Sequence, residues 1–173
     1  MSDAAPLVRT VHLTVGSPEE TTRLARWLGA RLGAGDTVLL EGAIGAGKSH
    51  FCRGLIQSRL ADLGRSEDVP SPTFTLVQVY DAGPVEIWHA DLYRLGGADE
   101  VAALGLEDAF EEAICLVEWP DRLGDACPSG ALAITLSPAS GGDAERDVSI
   151  SASASRWAPV LAALAEGEWR ADE

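Results

Sequence analysis

The sequence predicts a three-layer α/β fold, with helices on both faces of a mixed, partly parallel central sheet. Three observations carry that expectation. Short apolar runs at 36–41 and 113–118 alternate with stretches of helical periodicity. Segments 73–90 and 130–153 are each split by turn-forming residues and read as hairpins, which mixes the strand directions. A glycine-rich stretch at 42–49 joins an apolar strand to an amphipathic helix.

Residues 7–15 alternate loosely and read as a strand. Ser17 suits a helix N-cap, Pro18 the first helical position and Glu20 the far side of a capping box. Leu24, Trp27, Leu28 and Leu32 supply the apolar stripe, Gly33 or Gly35 the stop, and Arg23, Arg26 and Arg31 the solvated side. A buried strand at 36–41 precedes the glycine-rich turn and a helix over 48–62 with Phe51, Leu55 and Leu60 facing inward. Residues 64–72 form a loop with two prolines. Strands at 73–80 and 84–90 meet at Asp81-Ala82-Gly83-Pro84. A helix over 98–112 leads to the second buried strand, 113–118. Strands at 130–137 and 146–153 flank a loop holding Gly141-Gly142, and a helix near 156–166 precedes a polar tail.

The chain has 173 residues, which suits one domain over 1–173, with 167–173 as a tail that need not be ordered. No apolar run is long enough for a membrane helix, and the N-terminus lacks a basic start followed by an apolar stretch, so the expectation is a cytoplasmic protein without membrane association. Cys52, Cys115 and Cys127 are widely spaced with no C-x-x-C pair, which argues against a disulfide frame and a zinc site. The formal net charge of −14 repels phosphate backbones, so contact with RNA is expected only through a partner. Twelve of the thirteen basic residues are arginine. The single lysine, Lys48, therefore marks a place where a compact, flexible point charge is needed rather than a planar fork.

Lys48 closes Gly42-Ala43-Ile44-Gly45-Ala46-Gly47-Lys48-Ser49, a full G-x-x-x-x-G-K-[ST] match. This composition produces such a match by chance in roughly one chain in a thousand. The glycines let successive backbone N–H groups turn toward one phosphate, and the helix that follows adds its positive end. Lys48 is expected on the β- and γ-phosphates and the Ser49 hydroxyl on Mg2+. His50, next in the helix, offers its backbone N–H to a phosphate. The fold class is thus that of a P-loop NTPase domain. No Asn-Lys-x-Asp follows, since no second lysine exists, so ATP is favoured over GTP.

Magnesium on a triphosphate needs hard oxygen ligands, usually including one or two carboxylates. Asp91 ends the run 85–91 and Glu118 ends 113–118, each placed as strand-end acids are at the ligand edge of an α/β sheet. If loop 64–72 returns to the nucleotide end, strand 73–80 runs antiparallel and 84–90 parallel to 36–41. That delivers Asp91 to the phosphates and sets Ser71-Pro72-Thr73 near the γ-phosphate as a sensing loop.

Together these motifs resemble one family, TsaE, the ATPase of tRNA threonylcarbamoyladenosine biosynthesis. The resemblance rests on 41–49, on Ser71-Pro72-Thr73-Phe74-Thr75-Leu76-Val77, on His89-Ala90-Asp91-Leu92-Tyr93-Arg94-Leu95, and on Leu116-Val117-Glu118-Trp119-Pro120, in the family's order and spacing. It implies ATP and Mg2+ as cofactors and weak ATPase activity alone. It also implies docking on the TsaB–TsaD pair, which transfers a threonylcarbamoyl group to adenosine 37 of tRNAs reading ANN codons. By motif match, Ser49 and Glu118 are magnesium ligands, Asp91 belongs to the metal and water site, Thr73 to a switch-like loop, and Trp119 lies near the nucleotide. Ser49 replaces the commoner threonine, and His50 stands where a small hydroxyl residue is usual.

Several alternatives stay open on the sequence. Trp119 either stacks on adenine or packs under the strand end. Trp27, Trp88, Trp157 and Trp169 serve packing or the surface, and His89 orients a strand end. Glu107-Asp108 and Glu111-Glu112 form either a solvated helix face or a surface for a basic partner. A small-molecule kinase and a nucleotide-gated binding module compete with the partner-dependent ATPase.

Overall fold

The computed structural model describes residues 7–171. Residues 1–6 and the last two residues of the expected tail lie outside them. The strands are β1 (Arg9–Val15), β2 (Thr37–Glu41), β3 (Val77–Asp81), β4 (Glu86–Asp91), β5 (Ile114–Glu118), β6 (Leu132–Pro138) and β7 (Arg146–Ala152). The helices are α1 (Pro18–Gly29), α2 (Lys48–Ala61), α3 (Ala98–Ala102), α4 (Leu106–Glu112) and α5 (Ala158–Ala165).

One sheet runs β1-β7-β6-β2-β5-β4-β3. Its centre, β6-β2-β5-β4, is parallel. The two hairpins add β3 and β7 antiparallel, and β1 pairs antiparallel with β7. The apolar runs of β2 and β5 sit at the centre because strands covered on both faces need no polar side. Val38 and Leu40 enter the core beneath α1, α2 and α5, whereas Leu39 enters the second core with Val101, Leu106 and Leu123. This alternation is the three-layer architecture seen from one strand.

Local chemistry fixes the ends. Ser17 Oγ accepts from the Glu20 N–H at 3.2 Å, and Glu20 Oε2 accepts from the Gly16 N–H at 2.7 Å, one residue before the cap that a capping box would close on. Helix α1 stops at Gly29, short of Gly33. A Cβ on Gly29 would lie 2.9 Å from Leu55 Cγ, so glycine sets how closely α1 approaches α2.

Three segments differ from expectation. The helix over 98–112 is two helices, because Gly105 at φ 77° reverses the backbone between α3 and α4. The strand over 73–80 starts only at Val77. Residues 73–76 form a turn closed by Leu76 N–H donating to Pro72 O at 2.8 Å, with Leu76 at φ 68°. The polar tail folds back: Gly167 at φ 77° turns the chain into a short 3-10 turn, Glu168–Arg170, which seats Trp169 in the main core at 1% exposure. Arg170 covers that ring at 4.2 Å and donates to Thr14 O.

Removing an indole that fills a core leaves both lost transfer energy and a cavity. Trp169→Ala is therefore expected to lower unfolding free energy by about 3–5 kcal/mol in urea denaturation. A loss below about 1 kcal/mol would show that the turn is not part of the core.

Candidate functional site

The first turn of α2 and the carboxyl ends of β2, β4 and β5 converge on a cleft of about 400 Å³. Its lining includes Ile44, Gly45, Gly47, Lys48, Ser49 and His50 from one side, Ser71 and Thr73 from the loop before β3, and Asp91, Glu118 and Trp119 from the strand ends. Of the sequence-predicted residues, Gly42, Ala43 and Ala46 lie in the loop but outside this lining and the others come together in it, and the volume lies in the range of small-ligand sites.

The loop between β2 and α2 curls through three left-handed glycines: Gly42 at φ 148°, Gly45 at 81° and Gly47 at 108°. Gly47 caps α2 without a side-chain bond, which leaves the helix N-terminus facing the cleft. Gly42 is constrained twice over, because a Cβ there would sit 2.5 Å from Leu136 O in β6 and 3.1 Å from Ala46 Cβ. Arg146, at the start of β7, donates to Ala46 O at 3.2 Å and braces the loop from outside. Sequence reasoning missed that role, since nothing local links position 146 to the loop.

Lys48 is 5% exposed and turns back on its own loop, donating to Gly42 O and Ala43 O, the latter at 2.9 Å. Its Nζ lies 4.2 Å from the centre of the Trp119 ring. Burial lowers the ammonium pKa below its ordinary value, while Glu118 and Asp91 act in the opposite direction.

Parallel register aligns the carboxylates. Asp91 in β4 pairs with Glu118 in β5, and Glu118 pairs with Leu40 in β2, so both acids leave the sheet at one level beside the loop. Both are buried, at 6% and 2% exposure. Asp91 Oδ1 accepts from Tyr93 N–H at 3.1 Å. Glu118 has two partners: Ser49 Oγ donates to Oε1 at 2.8 Å, and His89 Nε2–H donates to Oε2 at 2.7 Å. His89 is itself 1% exposed and its Nδ1 has no partner. The hydroxyls continue the line, with Ser71 Oγ at 3.3 Å from Ser49 Oγ and 3.0 Å from Thr73 Oγ1.

His50 aims its ring at α1, where Nε2 lies 3.0 Å from both Thr22 Oγ1 and Pro18 O. It ties the start of α2 to a neighbouring helix. Trp119 follows Glu118 at φ 59° and packs on Tyr93 with ring centres 4.9 Å apart. Among the described residues, Trp119 and Leu76 are the two non-glycine positions with positive φ. Leu76 O accepts from Asp91 N–H at 2.9 Å, and Trp119 N–H donates to Leu40 O at 3.3 Å. Strained backbone thus braces both acids.

A hydroxyl and two carboxylates in front of a curled, N–H-rich loop offer hard oxygen donors beside a seat for a polyphosphate, a set that suits magnesium. No helix among the described residues is long and apolar enough to cross a membrane.

Comparison with known proteins agrees in family and fold. A family model described as "Threonylcarbamoyl adenosine biosynthesis protein TsaE" matches residues 15–148. The tRNA threonylcarbamoyladenosine biosynthesis protein TsaE of Bacillus subtilis is 37% identical over 142 residues, covering 82% of this chain and 85% of that protein. The protein of the same description from Rickettsia conorii is 43% identical over 108 residues, 62% of this chain and 60% of the relative's length. The crystal structure of Bacillus subtilis YdiB superposes with a TM-score of 0.72 at 30% identity, covering 94% of this chain and 97% of that one.

The steric position of Gly42 gives a direct check on the loop. Gly42→Ala adds a left-handed alanine and a clash with a strand carbonyl, so it is expected to cost about 2–4 kcal/mol of stability. Chemical denaturation measures this, and a change under about 0.5 kcal/mol would mean that the loop does not press on β6 as described.

Proposed function

Because the chain belongs to the TsaE family of threonylcarbamoyl adenosine biosynthesis proteins, we propose that it is the magnesium-dependent, ATP-binding and ATP-hydrolysing component of the machinery that modifies position 37 of tRNA. The observation that carries this reading is the Ser49–Glu118 contact beside Lys48: a phosphate-loop hydroxyl held on a buried strand-end carboxylate.

The residues divide the work. The backbone N–H groups of 42–50 and the N-terminal end of α2 bind the phosphates. Lys48 exchanges the carbonyls of Gly42 and Ala43 for β- and γ-phosphate oxygens. Ser49, Glu118 and Asp91 would hold magnesium, which supplies charge neutralisation at the phosphates when bound. Asp91, buried at the cleft and oriented by the Tyr93 N–H, positions the attacking water. Thr73, linked through Ser71 to Ser49, reports the γ-phosphate to the loop before β3. Trp119 walls the cleft beside the nucleotide.

A TsaB–TsaD-like pair is the proposed partner, and tRNA is reached through it. The net charge of −14 supports that indirect route, because an acidic chain gains little from a phosphate backbone. Hydrolysis supports turnover by the pair and leaves the group transfer to it.

Two measurements test the proposal. Lys48→Ala is expected to weaken Mg–ATP binding by at least about 1.5–3 kcal/mol in calorimetric titration, the worth of a charge-assisted contact, and unchanged affinity would contradict the assignment. Steady-state ATPase should rise at least about tenfold on adding a TsaB–TsaD pair, the scale of a completed catalytic site. Nucleotide-dependent binding of the pair with no stimulation would instead favour a gated binding module.

A further inference from the structure

Behind the Glu118 carboxylate lie two side chains that the proposed ATPase chemistry leaves unused, Cys52 and His89. Cys52 is on the second turn of α2, His89 in β4 and Glu118 at the end of β5. One ligand-type atom from each lies within 4.8 Å of the others, and all three residues are buried. The three widely spaced cysteines, with no C-x-x-C pair, argue against a zinc site in the sequence, yet the fold draws Cys52, His89 and Glu118 together.

We propose that Cys52, His89 and Glu118 form an inhibitory site for a thiophilic divalent cation of the zinc class. The donor set is sulfur, imidazole nitrogen and carboxylate oxygen, which favours Zn2+ over Mg2+. Ligand distances of about 2.0–2.3 Å put neighbouring donor atoms roughly 3.2–3.7 Å apart. One donor-type atom from each residue already lies within 4.8 Å of the others, so small side-chain shifts reach that range. The ring retains coordinating capacity, since His89 Nδ1 has no partner and is buried. The ion would enter through the nucleotide cleft, which Glu118 lines. Coordination replaces the thiol proton of Cys52, which leaves to solvent, and no electron is transferred.

The consequence follows from the shared carboxylate. Glu118 faces Ser49 on one side and His89 on the other. A soft ion that draws Glu118 toward Cys52 removes an oxygen from the front face, where magnesium is proposed to sit. This antagonism, though not the metal binding itself, rests on the magnesium role proposed above for Glu118.

The test uses the reduced full chain without nucleotide, titrated with Co2+ as a spectroscopic probe and then with Zn2+ by competition. The expected result is a thiolate-to-cobalt charge-transfer band saturating at one ion per chain and displaced by Zn2+. Cys52→Ala and Cys52→Ser, both small changes at a buried site, should each abolish the band and weaken Zn2+ binding at least about tenfold, while Cys127→Ser keeps both. Absence of the band, its loss in Cys127→Ser, or equal Zn2+ affinity in the Cys52 variants overturns the site. A second arm measures Mg–ATP affinity with and without one equivalent of Zn2+. A zinc-induced drop in the wild type that Cys52→Ser removes supports the antagonism, and an unchanged affinity overturns the inhibitory role. Intact Mg–ATP binding without zinc, alongside a failed cobalt titration, would sink this inference alone and leave the proposed ATPase standing.

Discussion

The structure turns on one buried carboxylate. Glu118 sits at the end of a central strand, nearly out of contact with water, and a lone carboxylate there would be costly. Two donors make it tolerable: the Ser49 hydroxyl from the glycine-rich loop and the His89 ring from the adjacent strand. Each of those donors is fixed by a different element. The carboxylate therefore registers the loop against the sheet and β4 against β5. If β5 slipped by one residue against β2 and β4, its apolar partners would change faces and both contacts would be lost.

That constraint explains where the molecule holds strain. Of the two left-handed non-glycine residues among those described, Trp119 follows the strand end that carries Glu118 and Leu76 precedes β3 beside the strand end that carries Asp91, and each is tied to a neighbouring backbone atom. The loop is constrained as well, with Gly42 lying close under a carbonyl of β6 and Ala46 O accepting from Arg146. The fold supplies the rigidity, and the cleft edge spends it on backbone conformations that an isolated loop would not keep. Lys48, meanwhile, satisfies itself on its own loop while lying close to Trp119. A charge held this way is available to a phosphate without having to be pulled from bulk water.

Much of this was legible in the sequence because it is written locally. The phosphate-loop motif is contiguous, the two strand-end acids close apolar runs, and the hairpins carry their own turn residues. Even the direction of β4 followed from the length of loop 64–72. The missed features share a physical cause: they depend on register or packing between distant segments. The break at Gly105 reads as a helical glycine until its φ is known. Trp169 looks like part of a polar tail until Gly167 turns it into the core. Arg146 on Ala46, and the meeting of Cys52, His89 and Glu118, arise only once strands far apart in sequence lie side by side. The sequence suggests an orienting role for His89, but its partner, Glu118, follows only from the alignment of β4 with β5.

The most direct test of the account is a crystal structure with a non-hydrolysable ATP analogue and Mn2+ in place of magnesium, located by its anomalous signal. The account predicts a metal peak at about 2.0–2.3 Å from Ser49 Oγ with Glu118 on the same ion, directly or through a water. It also predicts that Lys48 has left the carbonyls of Gly42 and Ala43 for the phosphates. A metal bound away from both residues, or a lysine still folded onto its own loop beneath a bound nucleotide, would contradict it.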